Sequence, residues 1–236
     1  MRDCFIGNIG IGLNSYKDFH TFFEGIFNMQ KAIMQVQIPD IQNTIPEVFI
    51  IESLTDDDEK EKRYEGQILY DMLRLAGKDP QYAYIKKESQ LQHIVGLFRE
   101  SQYRFLHISS HANKTHIGMK FGNLTYDQFS SIFEGHLQLR RLFFSACEVG
   151  NESFINSMSK KNNSMHSIVA PTNKIQFDHA AAIWSALYTS LFAEKTDSMK
   201  GVDIEKRLRT LKGLFPVEFF FGTFDSVNMK WKNRII

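Results

Sequence analysis

A cysteine and a histidine are the residues of this chain best suited to covalent chemistry. Cys147 follows the apolar run 142–146, and His111 follows the run 103–108. Thiolate is the reactive form of cysteine, and a nearby imidazole favours that form and can later protonate a departing amine. If the two runs are neighbouring parallel strands, about 4.8 Å apart, side chains just beyond their ends meet at one edge of the sheet. The pair therefore predicts nucleophilic catalysis by Cys147 with His111 as its base.

Each of these residues also has a purely structural interpretation. A cysteine at the end of a strand is more often a small buried residue than a nucleophile. A histidine in a loop is more often an ordinary polar residue. The sequence shows no third member of a catalytic triad beside them. Their joint placement favours a catalytic dyad over two unrelated structural residues.

The elements that must position this pair are indicated by short apolar runs between polar segments. Strands are predicted at 48–51, 81–85, 103–108, 142–146, 167–170 and 217–221, with a hairpin at 117–124 that turns near Gly122–Asn123. Helical patterns separate most of these runs. This alternation predicts right-handed crossovers and a mainly parallel sheet covered on both faces. The predicted fold class is α/β, a three-layer sandwich around a central sheet of about six strands.

The first 45 residues are expected to form an accessory segment before a single domain at 46–236. Ser15–Gln37 has the pattern of an amphipathic helix with phenylalanines on one side, and Pro39 closes it. We interpret it as an accessory helix packed on the core, with a partner-docking or regulatory helix as the alternative. The rest of the chain has no repeat, low-complexity tract or linker, which favours one compact domain.

The composition of the 236 residues excludes several classes of protein. A net charge of +1 gives no electrostatic case for a nucleic-acid binder. Two cysteines, Cys4 and Cys147, form neither a disulfide framework nor a zinc ribbon. No apolar run has the length of a signal peptide or a membrane span. We therefore expect a cytoplasmic protein that does not insert into membranes.

Three histidines within ten positions raise the question of a metal site. His107 and His111 share one face of a strand, but the following turn would have to bend back to bring His116 to the same cation. No acidic fourth ligand is obvious. We expect no metal and no cofactor, and we expect His107 to be a hydrogen-bonded residue beneath the site.

The motifs around the pair resemble a known family. The segments His107–His111 and Leu142–Cys147, followed by Ile168–Pro171 and the helix after Asp178, are similar to those of prokaryotic caspase-like CHAT peptidases, in the caspase and separase clan. The resemblance covers roughly residues 46–225. It implies a caspase-like fold and a cysteine endopeptidase in which His111 is the base and Cys147 the nucleophile that forms a thioester.

Two departures from related sequences limit what the resemblance implies. Family members commonly have glycine after the histidine, where this chain has Ala112. The caspase signature Gln-Ala-Cys-x-Gly is replaced by the sequence from Ser145 to Gly150. Cleavage after aspartate is therefore not expected.

The resemblance also suggests how a substrate would be held. The oxyanion is expected to bind the backbone N–H of Cys147 and an amide at Ala112. Asp178 either selects a basic residue of the substrate or caps a helix that begins at His179. Glu148, beside the nucleophile, either binds substrate or faces solvent.

The family resemblance implies a biological setting. CHAT-type proteases of prokaryotes often act in antiviral defence or cell death, where they cut a pore-forming or regulatory protein, frequently after activation by a partner. The expected partners are thus a protein substrate and an activating component. The alternative is a catalytically inactive caspase-like adaptor that binds proteins through its phenylalanine-rich N-terminal helix.

Overall fold

The structure, a computed structural model, describes residues 44–162, 164–194 and 199–236. The predicted N-terminal helix at 15–37 lies outside these residues. None of the described helices is long and apolar enough to cross a bilayer.

The described residues form nine strands and seven helices. The strands are β1 (Ile45–Ser53), β2 (Gln81–Tyr84), β3 (Tyr103–Ala112), β4 (His116–Met119), β5 (Gly122–Thr125), β6 (Arg141–Ser145), β7 (Ser167–Pro171), β8 (Phe219–Asp225) and β9 (Lys230–Ile235). The helices are α1 (Asp56–Lys60), α2 (Glu65–Leu75), α3 (Glu88–Ser101), α4 (Tyr126–Ile132), α5 (Glu152–Lys161), α6 (Phe177–Glu194) and α7 (Gly201–Lys212).

The main sheet confirms the predicted α/β class. Its strand order is β2-β1-β3-β6-β7-β8-β9, and the first five of these strands are parallel. Strands β8 and β9 are antiparallel, and the β4–β5 hairpin pairs with the end of β3. The prediction of about six strands missed β9, which has no apolar run. The hairpin predicted at 117–124 is confirmed, and its turn is formed by Lys120 and Phe121, directly before Gly122.

Apolar residues cover both faces of the sheet because the strands alternate. In β1, Phe49 and Ile51 pack toward α3, α4 and α5, whereas Val48 and Ile50 pack toward α2, α6 and α7. Each side chain is at most 3% exposed. Burial on both faces is what a parallel sheet with crossover helices requires, and it gives the predicted three layers.

The register of the sheet brings the ends of β3 and β6 together. Ser109 of β3 pairs with Ser145 of β6. His111 and Cys147 each lie two residues beyond this pair. Because both strands run in the same direction, the two residues emerge side by side at the carboxyl edge of the sheet.

Candidate active site

His111 and Cys147 line the same small pocket, as their spacing predicts. The pocket has a volume of about 50 Å³ and lies between the ends of β3 and β6 and the start of α6. The side chain of His111 is 41% exposed, so the imidazole is reachable from solvent. Cys147 is half-buried and is not in a disulfide.

The segment between β7 and α6, together with the first residue of α6, covers both residues. The thiol of Cys147 donates a hydrogen bond to the Ile175 carbonyl oxygen, with Sγ 3.5 Å from that oxygen. The ring of Phe177 meets the imidazole of His111 edge-on, with centroids 5.6 Å apart. This segment therefore forms one wall of the pocket.

The turn that carries Cys147 is fixed by close backbone contacts. Glu148 has a left-handed φ of 56°, and its N–H donates to the Asn173 carbonyl oxygen at 3.1 Å. The N–H of Gly150 donates to the Pro171 carbonyl oxygen at 2.7 Å. A Cβ atom at Gly150 would lie 2.5 Å from the Ala170 carbonyl oxygen, so only glycine fits there. The turn is thereby held against the end of β7.

Asp58, a residue that the sequence pattern did not single out, lies against His111. One of its carboxylate oxygens, Oδ2, lies 2.6 Å from His111 Nε2. The same oxygen accepts a hydrogen bond from the Thr55 hydroxyl, and Oδ1 accepts one from Arg63 at 3.1 Å. An ionised carboxylate only accepts hydrogen bonds, so Nε2 carries the proton and Nδ1 carries none. The sequence shows no third residue beside the pair, and the structure places a carboxylate next to His111.

Asp58 is held in its ionised form by these partners. Partial burial raises its pKa, but the hydrogen bonds from Thr55, His111 and Arg63 outweigh burial and keep the pKa below its usual range. Helix α1 itself is tied to the β4–β5 turn, because Lys120 pairs with Asp56 and with Glu59. The carboxylate that faces His111 therefore comes from an anchored helix.

The backbone of Ala112 has an ordinary conformation. Ala112 does not belong to the described residues with positive φ, so alanine adds no strain where related chains have glycine. The N–H of Asn113 donates to the His116 carbonyl oxygen at 3.0 Å. Hydrogen-bonded and non-hydrogen-bonded pairs alternate in an antiparallel ladder, so Ala112 and Ile117 form a non-hydrogen-bonded pair. The Ala112 N–H therefore points away from β4.

The position of β4 decides where this amide points. The N–H of Lys120, just after β4, donates to the Ser53 hydroxyl at the end of β1, at 2.9 Å. Strand β4 thus lies on the β1 side of β3. The Ala112 N–H consequently faces the β6 side, where Cys147 lies.

The two tentative substrate-binding residues lie at different places. Asp178 is the second residue of α6, and its Oδ1 accepts the His179 N–H at 2.8 Å. The helix begins at Phe177, so the prediction that Asp178 caps a helix starting at His179 was wrong. Asp178 lines a neighbouring pocket and not the one that holds Cys147. Glu148 lies 3.9 Å from Lys114, measured between Oε1 and Nζ.

A buried polar cluster lies beneath the pocket. His107 is fully buried, and its Nδ1 is 3.4 Å from the Tyr188 hydroxyl. Its Nε2 has no hydrogen-bond partner within the part of the chain that the structure describes and lies 3.6 Å from Glu65 Oε1, so the hydrogen bond expected of His107 is made through Nδ1 alone. Burial raises the pKa of nearby Glu52 to about 7, although Tyr82 and Gly66 donate hydrogen bonds to it, and the charge of Glu65 adds to the rise.

The histidines do not gather around one point. The Nδ1 atom of His116 is 2.8 Å from the Thr115 hydroxyl, and His111 faces Asp58. Across residues 44–162, 164–194 and 199–236, no group of three potential metal ligands occurs.

Comparison with known proteins identifies a fold but not a family. No family model matches the chain. No curated protein matches it either. The fold is similar to that of a secreted C11 cysteine protease from Bacteroides thetaiotaomicron, "iotapain", with a TM-score of 0.54 and 7% sequence identity. The match covers 76% of this chain and 66%, just under two thirds, of that protease. The chain therefore shares its α/β fold with a cysteine protease.

Proposed function

We propose that this protein is a cysteine endopeptidase that cuts a protein substrate. The observation that supports this proposal best is the line of Asp58, His111 and Cys147 at the carboxyl ends of three adjacent parallel strands. A structural histidine at this edge has no need of both a carboxylate and a neighbouring thiol. The similarity of the fold to a cysteine protease agrees with the proposal.

The proposed reaction proceeds through a thioester. His111 Nδ1 takes the proton of the Cys147 thiol, while Asp58 stabilises the imidazolium through Nε2. The thiolate attacks the carbonyl carbon of the scissile peptide, and the C–N bond breaks as His111 returns the proton to the departing amine. Water then attacks the thioester, with His111 as the base, and releases the acid and the free thiol.

Two backbone amides are proposed to hold the oxyanion. They are the N–H groups of Cys147 and Ala112. The second is supported by its direction, since it faces the β6 side of β3. A donor of this kind contributes roughly 3 kcal/mol to the transition state.

We also propose the peptidase group, the cellular role and the substrate contacts of this protein. The segments His107–His111 and Leu142–Cys147 favour the CHAT group within the caspase-like peptidases. Membership of that group implies a role in prokaryotic defence or cell death, in the cytoplasm, with a pore-forming or regulatory protein as substrate and a partner as activator. Asp178 is proposed to contact the substrate because it lines the neighbouring pocket, and Glu148 because it directly follows the nucleophile in the chain.

The direct test is cleavage of a peptide library by the full chain, alone and with proteins encoded beside it. We expect cleavage that is lost in Cys147→Ala, with Cys4→Ala as the matched control that retains it. A second measurement follows alkylation of both cysteines at neutral pH by mass spectrometry. We expect Cys147 to react faster than Cys4, and His111→Ala to slow Cys147 alone. Equal labelling of the two cysteines, with no cleavage, would instead indicate the inactive adaptor.

A further inference from the structure

The edge of the main sheet opposite the active-site pocket carries several arginines. Arg141, the first residue of β6, pairs with β3 on one side and with β7 on the other, near the amino-terminal ends of these strands. Arg104 of β3, Arg140 before β6 and His166 before β7 each lie directly next to one of these paired positions. Because adjacent parallel strands are about 4.8 Å apart, the four side chains begin close together. These four residues form the amino-edge cluster.

The members of the amino-edge cluster influence one another's charge. Desolvation, and then the charges of the three arginines, lower the pKa of His166 to about 4. Burial, with the charge of Arg104 added, lowers the pKa of Arg140 and of Arg141 to about 10. At neutral pH the cluster therefore holds three guanidinium cations beside a neutral imidazole.

Arg140 is a buried cation whose N–H groups lack acceptors. The residue is 5% exposed, and its Nε and Nη1 atoms have no hydrogen-bond partner among the residues that the structure describes. Its guanidinium lies over the ring of Phe98, 5.6 Å from the centroid, and this contact leaves the N–H groups unpaired. Arginine is almost never buried without a paired charge, because an unpaired buried charge is costly. Arg140 therefore has the properties of a residue that binds an anion.

The neighbouring side chains do not supply that anion. Within the described ranges, no carboxylate forms an ion pair with Arg140 or Arg141. Arg141 donates from Nη1 to the neutral Ser167 hydroxyl at 2.9 Å, and its Nε is buried without a partner. Arg104 is held in place by Thr44, whose hydroxyl and carbonyl oxygens accept hydrogen bonds at 2.7 and 2.8 Å. The cluster thus contains two guanidiniums that no described carboxylate neutralises.

We propose that the amino-edge cluster binds a phosphate dianion, either free phosphate or the terminal phosphate of a small metabolite. The planar N–H groups of arginine match phosphate oxygens, and two guanidiniums balance two negative charges. His166 is exposed, which opens the cluster to solvent, and its neutral imidazole adds one N–H donor. From Arg104 to His111, β3 runs for about 23 Å. The site is therefore remote from the proposed catalytic residues and does not depend on their function.

Calorimetry on the full chain at neutral pH tests this site with inorganic phosphate and with ribose 5-phosphate. We expect a Kd below about 1 mM for at least one of them. Tighter binding of ribose 5-phosphate indicates a metabolite, whereas equal or exclusive binding of inorganic phosphate indicates the free ion. Arg140→Met, which keeps an unbranched stem beside Phe98, should weaken binding at least tenfold. Arg74→Met is the matched control, because Arg74 is exposed and pairs with Asp79, and it should keep the wild-type affinity.

Thermal unfolding provides a second measure of the same site. Phosphate should raise the Tm of the wild-type protein and of Arg74→Met equally, because a ligand that binds only the folded state stabilises it, and Arg140→Met should lose this rise. If Arg140→Met does not fold, His166→Ala replaces it and should weaken phosphate binding about three- to tenfold. Three results would overturn the proposal: no binding of either phosphate, unchanged affinity in these cluster variants, or an equal rise in Tm from potassium chloride at the same ionic strength.

Discussion

Replacing Asp58 by asparagine tests whether the carboxylate takes part in the chemistry. The substitution keeps the size and planarity of the side chain but removes the charge that faces His111 at 2.6 Å. An amide can also present its NH2 group to the ring, which would favour the wrong tautomer of the imidazole. We expect the thiolate–imidazolium pair to be less populated and the peptide to be cut more slowly.

The size of the effect follows from the contact and its exposure. A hydrogen bond to a charged group contributes about 1.5–3 kcal/mol, which corresponds to a rate change of roughly 10- to 150-fold. The carboxylate of Asp58 is only 6% exposed, but the imidazole is 41% exposed, so solvent screens part of the interaction. We therefore expect a loss of about 10- to 100-fold in kcat/KM.

The assay compares two neighbouring acids of α1. Asp57 has a side chain that is 87% exposed and pairs with Lys60, so Asp57→Asn is the matched control. Peptide cleavage and the rate of Cys147 alkylation are measured against pH for both variants. Asp58→Asn should lower both rates, with KM nearly constant, and Asp57→Asn should change neither. Equal rates and equal pH profiles for the two variants would refute a role for Asp58.

Further substitutions test the packing and the charged groups around the site. Gly150→Ala should lower the free energy of unfolding in urea by about 3 kcal/mol, because its Cβ would lie 2.5 Å from the Ala170 carbonyl oxygen. Gly96→Ala is the control, since its Cβ would meet nothing within 4 Å and should stabilise α3 by about 0.5–1 kcal/mol. The same change in unfolding free energy for both variants would contradict the close contact at Gly150. Burial raises the pKa of Glu52 from 4.5 to about 7, so its contribution to stability is complete below pH 4.5 and is lost as the pH rises through about 7. The free energy of unfolding should therefore fall by up to about 3 kcal/mol between pH 5 and pH 8, and Glu52→Gln should abolish that part of the fall. An unchanged pH dependence of the unfolding free energy in this variant would show that Glu52 is not the group responsible. Lys120→Ala should lower kcat/KM less than about tenfold, because α1 loses only its partly exposed ion pairs. A loss as large as that of Asp58→Asn would show that the position of α1 depends on this lysine.

The strands and the Cys147–His111 pair could be predicted because their signals are local. Parallel strands that are buried on both faces appear as continuous apolar runs, and each of the two residues directly follows such a run. The predicted first and last residues of the strands were less accurate than the predicted existence of the strands. Strand β3 continues through Ala112 because β4 folds back to pair with it, and nothing in the apolar pattern indicates that pairing.

Asp58 could not be singled out because it belongs to four consecutive acids, 56–59. All four suit the positive end of a helix, and only the burial of α1 distinguishes Asp58, at 4% exposed, from its neighbours. One available signal was position, since this cluster follows β1 at the same edge of the sheet as His111.

Edge strands of the sheet are harder to predict than its central strands. Strand β9 contains tryptophan, lysine and arginine, and its residues are mostly exposed. It forms because β8 offers an unpaired edge, and its residues pair with β8 from Phe220–Ile235 to Asp225–Lys230. Sequence patterns that rely on burial therefore identify the centre of this sheet better than its border.

The order of the strands connects the proposed chemistry directly to the fold. β1, β3 and β6 are adjacent and parallel, and the proposed carboxylate, base and nucleophile follow Ser53, Ser109 and Ser145 in that order across the edge. Side chains alternate along a strand, so a shift of one residue in β3 would turn His111 to the opposite face, away from Asp58. The register of the buried core therefore sets the geometry of the proposed catalytic residues, and the exposed β4–β5 hairpin contributes by holding α1 and the end of β3 in place.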